Sequence, residues 1–202
     1  MPNSTEPGSV AEALELGHLL YEKALVRRGE EHITDPKGRP IGWLLDTRIP
    51  MLESSVFNEV GRVLAAKLSA RNISQVAGFG YGAFPVVSSV LAAAPDGSWR
   101  AGFIRERRKG YGRQRLIEGP IRPDGPVVLL DDILNSGQSA EQAVMILRQE
   151  GFQVEGTMTL FNFTWGGGKK RLEKAGLWVS CLLDINLRDT SSTPDSDGSE
   201  LL

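Results

Sequence analysis

Two adjacent carboxylates follow a run of four apolar residues in the second half of the sequence. Residues 127–130 read Val-Val-Leu-Leu, which is typical of a strand buried on both faces of a parallel sheet. Asp131 and Asp132 are therefore expected at the carboxyl end of that strand, where open α/β sheets bind their ligands. The alternative is that one of them only caps the next helix. A buried pair of carboxylates is costly without compensating hydrogen bonds or a cation, so the pattern favours a ligand site.

A turn rich in hydroxyl and amide groups follows these carboxylates and precedes a predicted helix at residues 140–150. Backbone N–H groups at a helix N-terminus, together with hydroxyl groups, suit the binding of a phosphate monoester. Carboxylates for sugar hydroxyls beside such a turn predict a site for a ribose 5-phosphate. The residues of the turn are Asn135, Ser136, Gly137, Gln138 and Ser139.

A glycine-rich turn lies between a predicted strand at residues 74–79 and a predicted helix at residues 85–94. Gly78, Gly80 and Gly82 would let backbone N–H groups approach a phosphate closely. The spacing does not fit a dinucleotide-binding fingerprint, because the last glycine is missing and no acidic residue follows at the required distance.

Six cationic residues lie within the eleven positions 105–115. Two glycines inside this segment predict a mobile loop rather than a helix. Such a loop could close over a highly anionic substrate and neutralise its leaving group. A basic surface hairpin or a contact with RNA is the alternative.

The composition is that of a globular domain. Of the 202 residues, 41% are hydrophobic and 24% are charged, and the net charge of −2 gives no reason to expect nucleic acid or an anionic membrane as partner. The one cysteine, Cys181, excludes an internal disulfide and suits the cytoplasm. Neither an export signal nor an apolar run of about 20 residues is visible. With two histidines and one cysteine, a zinc site built from these residue types is not expected.

Alternating strand and helix patterns predict a mostly parallel twisted sheet flanked by helices. Residues 1–8 and 188–202 are polar and predicted to be disordered, which leaves a single domain at residues 9–187. The other predicted helices span residues 9–28, 55–70 and 169–174. The other predicted strands span residues 41–45, 100–105, 116–121 as a hairpin partner, 154–163 and 179–184.

The segment 127–139 resembles the phosphoribosyl pyrophosphate (PRPP) signature of type I phosphoribosyltransferases. That signature consists of four apolar residues, two acids and a Thr/Ser-Gly loop. Orotate phosphoribosyltransferases are the most similar branch, because Gly78, Tyr81, Ala83 and Pro85 fall in step with their Gly-x-x-Tyr-Lys-Gly-x-Pro loop, which holds pyrophosphate. The Lys of that loop is Gly82 here.

The basic segment also resembles this family. Residues 103–119 align without a gap with its catalytic hood loop, and Arg105 and Lys109 fall on its Arg and Lys. Glu106 replaces a second Lys, and Tyr111 replaces a His.

The base-binding half of the resemblance is weaker. Residues 38–48 resemble the segment that lies against the base in the family. The Asp-Arg pair whose Arg contacts the carboxylate of orotate corresponds to Asn162 and Phe163 here. Trp43, Phe163 and Trp165 are either core aromatics or the lining of a base pocket, which would then favour a flatter and less anionic acceptor.

The resemblance implies a type I phosphoribosyltransferase fold with a hairpin hood loop and a small N-terminal hood. It also implies transfer of the 5-phosphoribosyl group of PRPP to a pyrimidine-like base, orotate by family default, with Mg²⁺ present and pyrophosphate released. The turn 135–139 would bind the 5-phosphate. The implied catalytic residues are Asp131, Asp132, Arg105 and Lys109. Both aspartates would contact the metal only indirectly, through the bound PRPP. The implied pyrophosphate site comprises Gly80, Tyr81, Gly82, Ala83, Arg108 and Tyr111.

Two other functions stay open on the sequence alone. A non-catalytic PRPP-binding regulator would explain the replacements at Gly82, Glu106 and Tyr111. A nucleic-acid-associated protein would use the arginine-rich loop. The resemblance itself implies PRPP and a nucleobase-like acceptor as partners, and a homodimer. The protein is expected in the cytoplasm. Neither a membrane nor nucleic acid is an expected partner.

Overall fold

The computed structural model describes residues 8–29, 32–34, 38–94, 97–108 and 115–186. Apart from Gly8, the predicted disordered ends lie outside these residues. The first helix, α1 (Val10–Ala24), is capped by Ser9, whose Oγ accepts a hydrogen bond from the N–H of Glu12 at 3.2 Å. The Glu12 carboxylate accepts in turn from the N–H of Gly8 at 2.6 Å. This arrangement confirms the predicted helix start.

Helix α1 ends at Ala24 rather than at residue 28, because the chain becomes extended at Leu25. Strand β1 (Leu25–Arg27) pairs antiparallel with β2 (Trp43–Leu45), with Leu25 opposite Leu45. The long-range pairing therefore overrides the helical pattern of the last predicted turn. A four-residue helix, α2 (Arg48–Met51), follows β2 and precedes the predicted helix α3 (Ser54–Ser69).

Among the described residues, a six-stranded sheet forms the centre of the fold, in the order β5-β4-β3-β6-β7-β8. Five of its strands run parallel, and β5 pairs antiparallel with β4. This arrangement confirms the predicted mostly parallel sheet with one hairpin partner. The strands are β3 (Gln75–Phe79), β4 (Arg100–Ile104), β5 (Ile117–Glu118), β6 (Val127–Leu134), β7 (Val154–Phe163) and β8 (Trp178–Ile185).

Helices cover both faces of this sheet, as predicted. Helices α1, α3 and α4 (Ala83–Ala93) pack on one face, and α5 (Gln138–Gln149) and α6 (Gly168–Lys174) pack on the other. Gly61 allows α3 to approach α4 closely, since a Cβ there would overlap the carbonyl of Ser89. None of the described helices is long and apolar enough to cross a membrane.

Candidate active site

Strand β6 continues to Leu134, so Asp131 and Asp132 lie inside it and not directly after it. Its pairing with β3 ends where Gly78 faces Leu130, whereas its pairing with β7 continues to Leu134 opposite Asn162. The two carboxylates therefore begin where β6 extends past its neighbour β3. This overhang places both aspartates at the carboxyl edge of the sheet, which is the edge that the sequence predicts for them.

The Asp131 carboxylate is partly buried and lies next to Asp132 in the chain. Burial, and then the charge of Asp132, raise the pKa of Asp131 to about 8. Its Oδ1 accepts a hydrogen bond from the N–H of Asp132 at 2.9 Å, which does not offset the burial. A cation or the hydroxyl groups of a sugar would favour its ionised form.

Asp132 is held in one orientation by its neighbours. The Thr47 hydroxyl donates to Oδ2 at 2.5 Å, and the N–H of Ile133 donates to Oδ1 at 2.9 Å. Thr47 is only 2% exposed. A Cβ on Gly82 would overlap the Asp132 carboxylate, so a lysine cannot occupy position 82 unless that carboxylate moves.

The predicted phosphate turn lies directly beyond β6. Gly137 adopts a left-handed conformation, with φ of +74°, and serves as N-cap of α5. Helix α5 starts at Gln138, two residues before its predicted start, so Gln138 and Ser139 lie in its first turn. The first N–H groups of a helix have no partner within the helix. The structure thus brings the two carboxylates and a helix N-terminus together.

The glycine-rich turn and Arg105 line one cavity of about 700 Å³. Gly80, with φ of +84°, precedes Tyr81, whose side chain is 89% exposed. Arg105 reaches this cavity from the end of β4, and its Nη1 lies 3.8 Å from Oε1 of Glu118. The nearby rings of Phe84 and Phe103 stack at 3.8 Å. Arg105 is therefore brought to Gly80 and Tyr81, as the resemblance implies.

Arg108 is not brought to this cavity. Its Nη2 forms an ion pair with Oε1 of Glu150 at 2.5 Å, at the end of α5 opposite the phosphate turn. Lys109 and Tyr111 lie outside the described residues.

The three aromatic residues proposed for the base pocket form one cluster. Phe163 and Trp165 stack with their centroids 4.8 Å apart, and Trp43 meets them edge-on at 6.1 and 6.5 Å. Trp165 is 42% exposed. The described residues place no Arg or Lys over these rings, since the cation found on a ring is Arg71 over Trp178. The cluster offers stacking surfaces and no cationic contact of that kind.

Asn162, which corresponds to the family's Asp, is bonded to the neighbouring strand β8. Its Nδ2 donates to Oδ1 of Asp184 at 2.6 Å, and Asn162 is 2% exposed.

Sequence reasoning missed Thr47 as a site residue. It stands between Asp46 and Arg48, whose ion pair spans 2.7 Å, and both of these residues belong to the segment already singled out. The available signal was a hydroxyl group within the segment 38–48, but its contact with Asp132 joins positions 85 residues apart.

The donor set fits Mg²⁺ held largely by a ligand's own oxygens. Among the described residues, no cluster of three or more His, Cys, Asp and Glu side chains suits direct metal binding. Asp131 and Asp132 supply carboxylate oxygens, the ligand type that Mg²⁺ prefers. Because burial and the charge of Asp132 raise the pKa of Asp131, a nearby positive charge would favour its ionised form.

Comparison with known proteins identifies the family. The chain is 31% identical over 174 residues to the orotate phosphoribosyltransferase of Rhodopirellula baltica, covering 82% of this chain and 89% of that one. It is 32% identical over 151 residues to that of Synechocystis sp., covering 73% and 75%. No protein-family model matches the chain.

Solved structures agree with these relatives. The Mycobacterium tuberculosis orotate phosphoribosyltransferase in complex with Fe(III) dicitrate superposes with a TM-score of 0.74 and 27% identity, covering 89% of this chain and 99% of that one. The same enzyme in complex with PRPP gives a TM-score of 0.69 and 25% identity, covering 86% and 96%. The shared architecture is the type I phosphoribosyltransferase fold. The chain therefore belongs to the orotate phosphoribosyltransferase family.

Proposed function

We propose that this protein transfers the 5-phosphoribosyl group of PRPP to a ring nitrogen of a pyrimidine-like base. The bond between ribose C1 and the pyrophosphate oxygen breaks, a C1–N bond forms, and pyrophosphate leaves. The observation that carries the proposal is the continuity of β6, the turn and α5, which sets two carboxylates beside a helix N-terminus.

The residues of β6 and the turn would hold the sugar. Asp131 and Asp132 would accept hydrogen bonds from the ribose hydroxyls, and Asp132, oriented by Thr47, would stabilise the positive charge that develops on the sugar. The N–H groups and hydroxyls of residues 135–139 would bind the 5-phosphate.

The pyrophosphate would lie in the cavity beside Gly80 and Tyr81, where Arg105 approaches. Lys109, by the resemblance, would add a second cation. Magnesium bound with PRPP would neutralise part of the charge on the departing pyrophosphate. Asp131 and Asp132 are the residues that would face it.

Orotate is the acceptor we propose first, because the relatives are named for it. The stacked faces of Phe163 and Trp165 would receive a flat ring. We further propose that the enzyme works as a homodimer in the cytoplasm.

Calorimetric titration with PRPP, with and without Mg²⁺, tests the binding half of the proposal. We expect binding that strengthens with Mg²⁺ and is lost in Asp131→Asn. Asp124→Asn, which removes an exposed carboxylate before β6, should bind as the wild type does. An absence of PRPP binding to the wild type would overturn the proposal. Binding without pyrophosphate release, for orotate and a panel of other bases, would identify a regulator instead.

A further inference from the structure

Helix α6 holds the phosphate turn through two consecutive carbonyl groups. The N–H of Gly168 donates to the carbonyl of Asn135 at 2.9 Å, and Nε of Arg171 donates to the carbonyl of Ser136 at 2.9 Å. Arg171 also donates from Nη1 to Oε2 of Glu141 at 3.0 Å. One guanidinium thus bridges the turn and the first turn of α5.

These contacts determine which way the N–H groups of the turn point. In a planar trans peptide, the carbonyl of one residue and the N–H of the next point in opposite directions. Because the carbonyls of Asn135 and Ser136 face α6, the N–H groups of Ser136 and Gly137 face away from it. A phosphate in the proposed site needs converging N–H groups, so the carbonyl contacts with α6 pre-organise its binding.

Close packing between the two segments supports the same conclusion. A Cβ on Gly137 would come within 2.9 Å of the Cα of Gly168, and a Cβ on Gly166 or Gly168 would overlap the backbone of Asn135. The Gly166–Gly167–Gly168 sequence, which the proposed chemistry does not use, therefore lets the start of α6 lie directly against the turn.

The ion pair itself contributes little to folding. The side chains of Arg171 and Glu141 are 40% and 49% exposed, and exposed pairs of this kind contribute little to stability. An effect of Arg171 on ligand binding should therefore be separable from an effect on folding.

We propose that Arg171 is a positioning residue for the ribose 5-phosphate group: it holds the Ser136 carbonyl so that the turn presents its N–H groups to the phosphate. This inference rests on the proposed function, since it assigns that phosphate to residues 135–139. Arg171 would act through its contact with the turn and not through a contact with the substrate.

The test compares two ligands that occupy different parts of the site. Calorimetry measures the affinities for ribose 5-phosphate and for inorganic pyrophosphate with Mg²⁺, and thermal unfolding measures Tm. Arg171→Ala should weaken ribose 5-phosphate about tenfold, as expected when a charge-assisted contact is lost, and leave the pyrophosphate affinity and Tm unchanged. The affinity of Arg171→Lys for ribose 5-phosphate should lie between those of the wild type and Arg171→Ala, because an ammonium group lacks the planar fork that reaches both acceptors.

Arg148→Ala is the matched control. Arg148 also joins α5 to α6 through a backbone carbonyl, that of Ala175 at 3.1 Å, but far from the turn. It should change neither affinity. In steady state, Arg171→Ala should raise KM for PRPP while kcat stays close to that of the wild type.

Two outcomes overturn the inference while leaving the proposed function intact. One is wild-type affinity for ribose 5-phosphate in Arg171→Ala. The other is equal weakening of both ligands together with a lower Tm, which would show a purely structural role. If the wild type bound neither ligand, the proposed function would fail, and the inference with it.

Discussion

The two halves of the site are built from different interactions. The half assigned to the sugar and its phosphate is polar: Thr47 fixes Asp132, and α6 fixes the turn after β6. The half assigned to the acceptor is a cluster of three rings held by stacking and edge contacts. Hydrogen bonds are directional, so small displacements weaken them, whereas stacking tolerates changes of ring and angle. The comparison suggests that the polar half sets the reaction and the aromatic half sets the acceptor.

The largest effect on activity should come from a substitution in the polar half. Asp132→Asn removes the charge that would bind the ribose hydroxyls and stabilise the developing cation. We expect kcat/KM for PRPP to fall about 100-fold or more, as when hydrogen bonds to a charged group worth about 3 kcal/mol are lost. Initial rates of pyrophosphate release measure this. Asp124→Asn is the control, and a loss of less than about fivefold in Asp132→Asn would remove Asp132 from the chemistry.

The raised pKa of Asp131, in the same half, should appear in the pH dependence of stability. The pKa of Asp131 is raised to about 8 in the folded protein, while in the unfolded chain it returns to about 4. Between these values the folded state holds a proton that the unfolded state has lost, so stability falls as pH rises. This contribution of Asp131 to stability is largest below about pH 4 and levels off above about pH 8.

Urea unfolding of the ligand-free protein between pH 6 and 8 tests this slope. We expect the free energy of unfolding to fall by up to about 1.4 kcal/mol per pH unit relative to Asp131→Asn, which lacks the titrating group. Parallel curves for the two proteins would show that Asp131 is not protonated in this range.

In the aromatic half, Trp165→Leu should weaken the binding of the acceptor and leave that of PRPP unchanged. Loss of one stacking face costs about 1–2 kcal/mol, so KM for the acceptor should rise about tenfold while KM for PRPP stays unchanged. Steady-state kinetics with each substrate varied in turn separates the two constants. A matching rise in KM for PRPP would break the proposed division between the halves.

The smallest effect should come from Thr47→Val, which keeps the side-chain shape and removes the donor to Asp132. We expect kcat to fall about fivefold, as for the loss of one hydrogen bond of about 1 kcal/mol. Thr157→Val is the matched control, because the buried Thr157 hydroxyl has no hydrogen-bond partner among the described residues. If both variants lowered kcat equally, the effect would not be specific to Asp132.

Local patterns predicted the central elements of the fold well. The apolar run before Asp131 predicted β6, and the predicted bounds of 154–163 match β7. These segments are buried on both faces, so their composition alone identifies them. Strand β1 was missed because its pairing with β2 joins Leu25 to Leu45, and helix α2 was missed because four residues are too few to show a period.

The candidate site likewise contains features that the local sequence predicts and features that it does not. The two carboxylates and the turn are contiguous in sequence, so their association could be predicted. The contacts of Thr47 with Asp132 and of Arg171 with Ser136 join positions 85 and 35 residues apart. The overlap of a Gly82 side chain with Asp132 likewise depends on how α4 packs against β6. Contacts of this kind follow from tertiary packing, which a local pattern does not contain.

Phosphorus NMR of a mixture of PRPP, Mg²⁺, orotate and catalytic amounts of the protein tests the central claim most directly. We expect the PRPP signals to decrease while signals of pyrophosphate and of a nucleoside 5-monophosphate grow in equal amounts, and the same change to be about 100-fold slower with Asp132→Asn. Uracil, which lacks the carboxylate, should be run in parallel to show how the aromatic half selects its acceptor. Unchanged PRPP with every acceptor, from a wild type that binds PRPP, would contradict the proposed transfer.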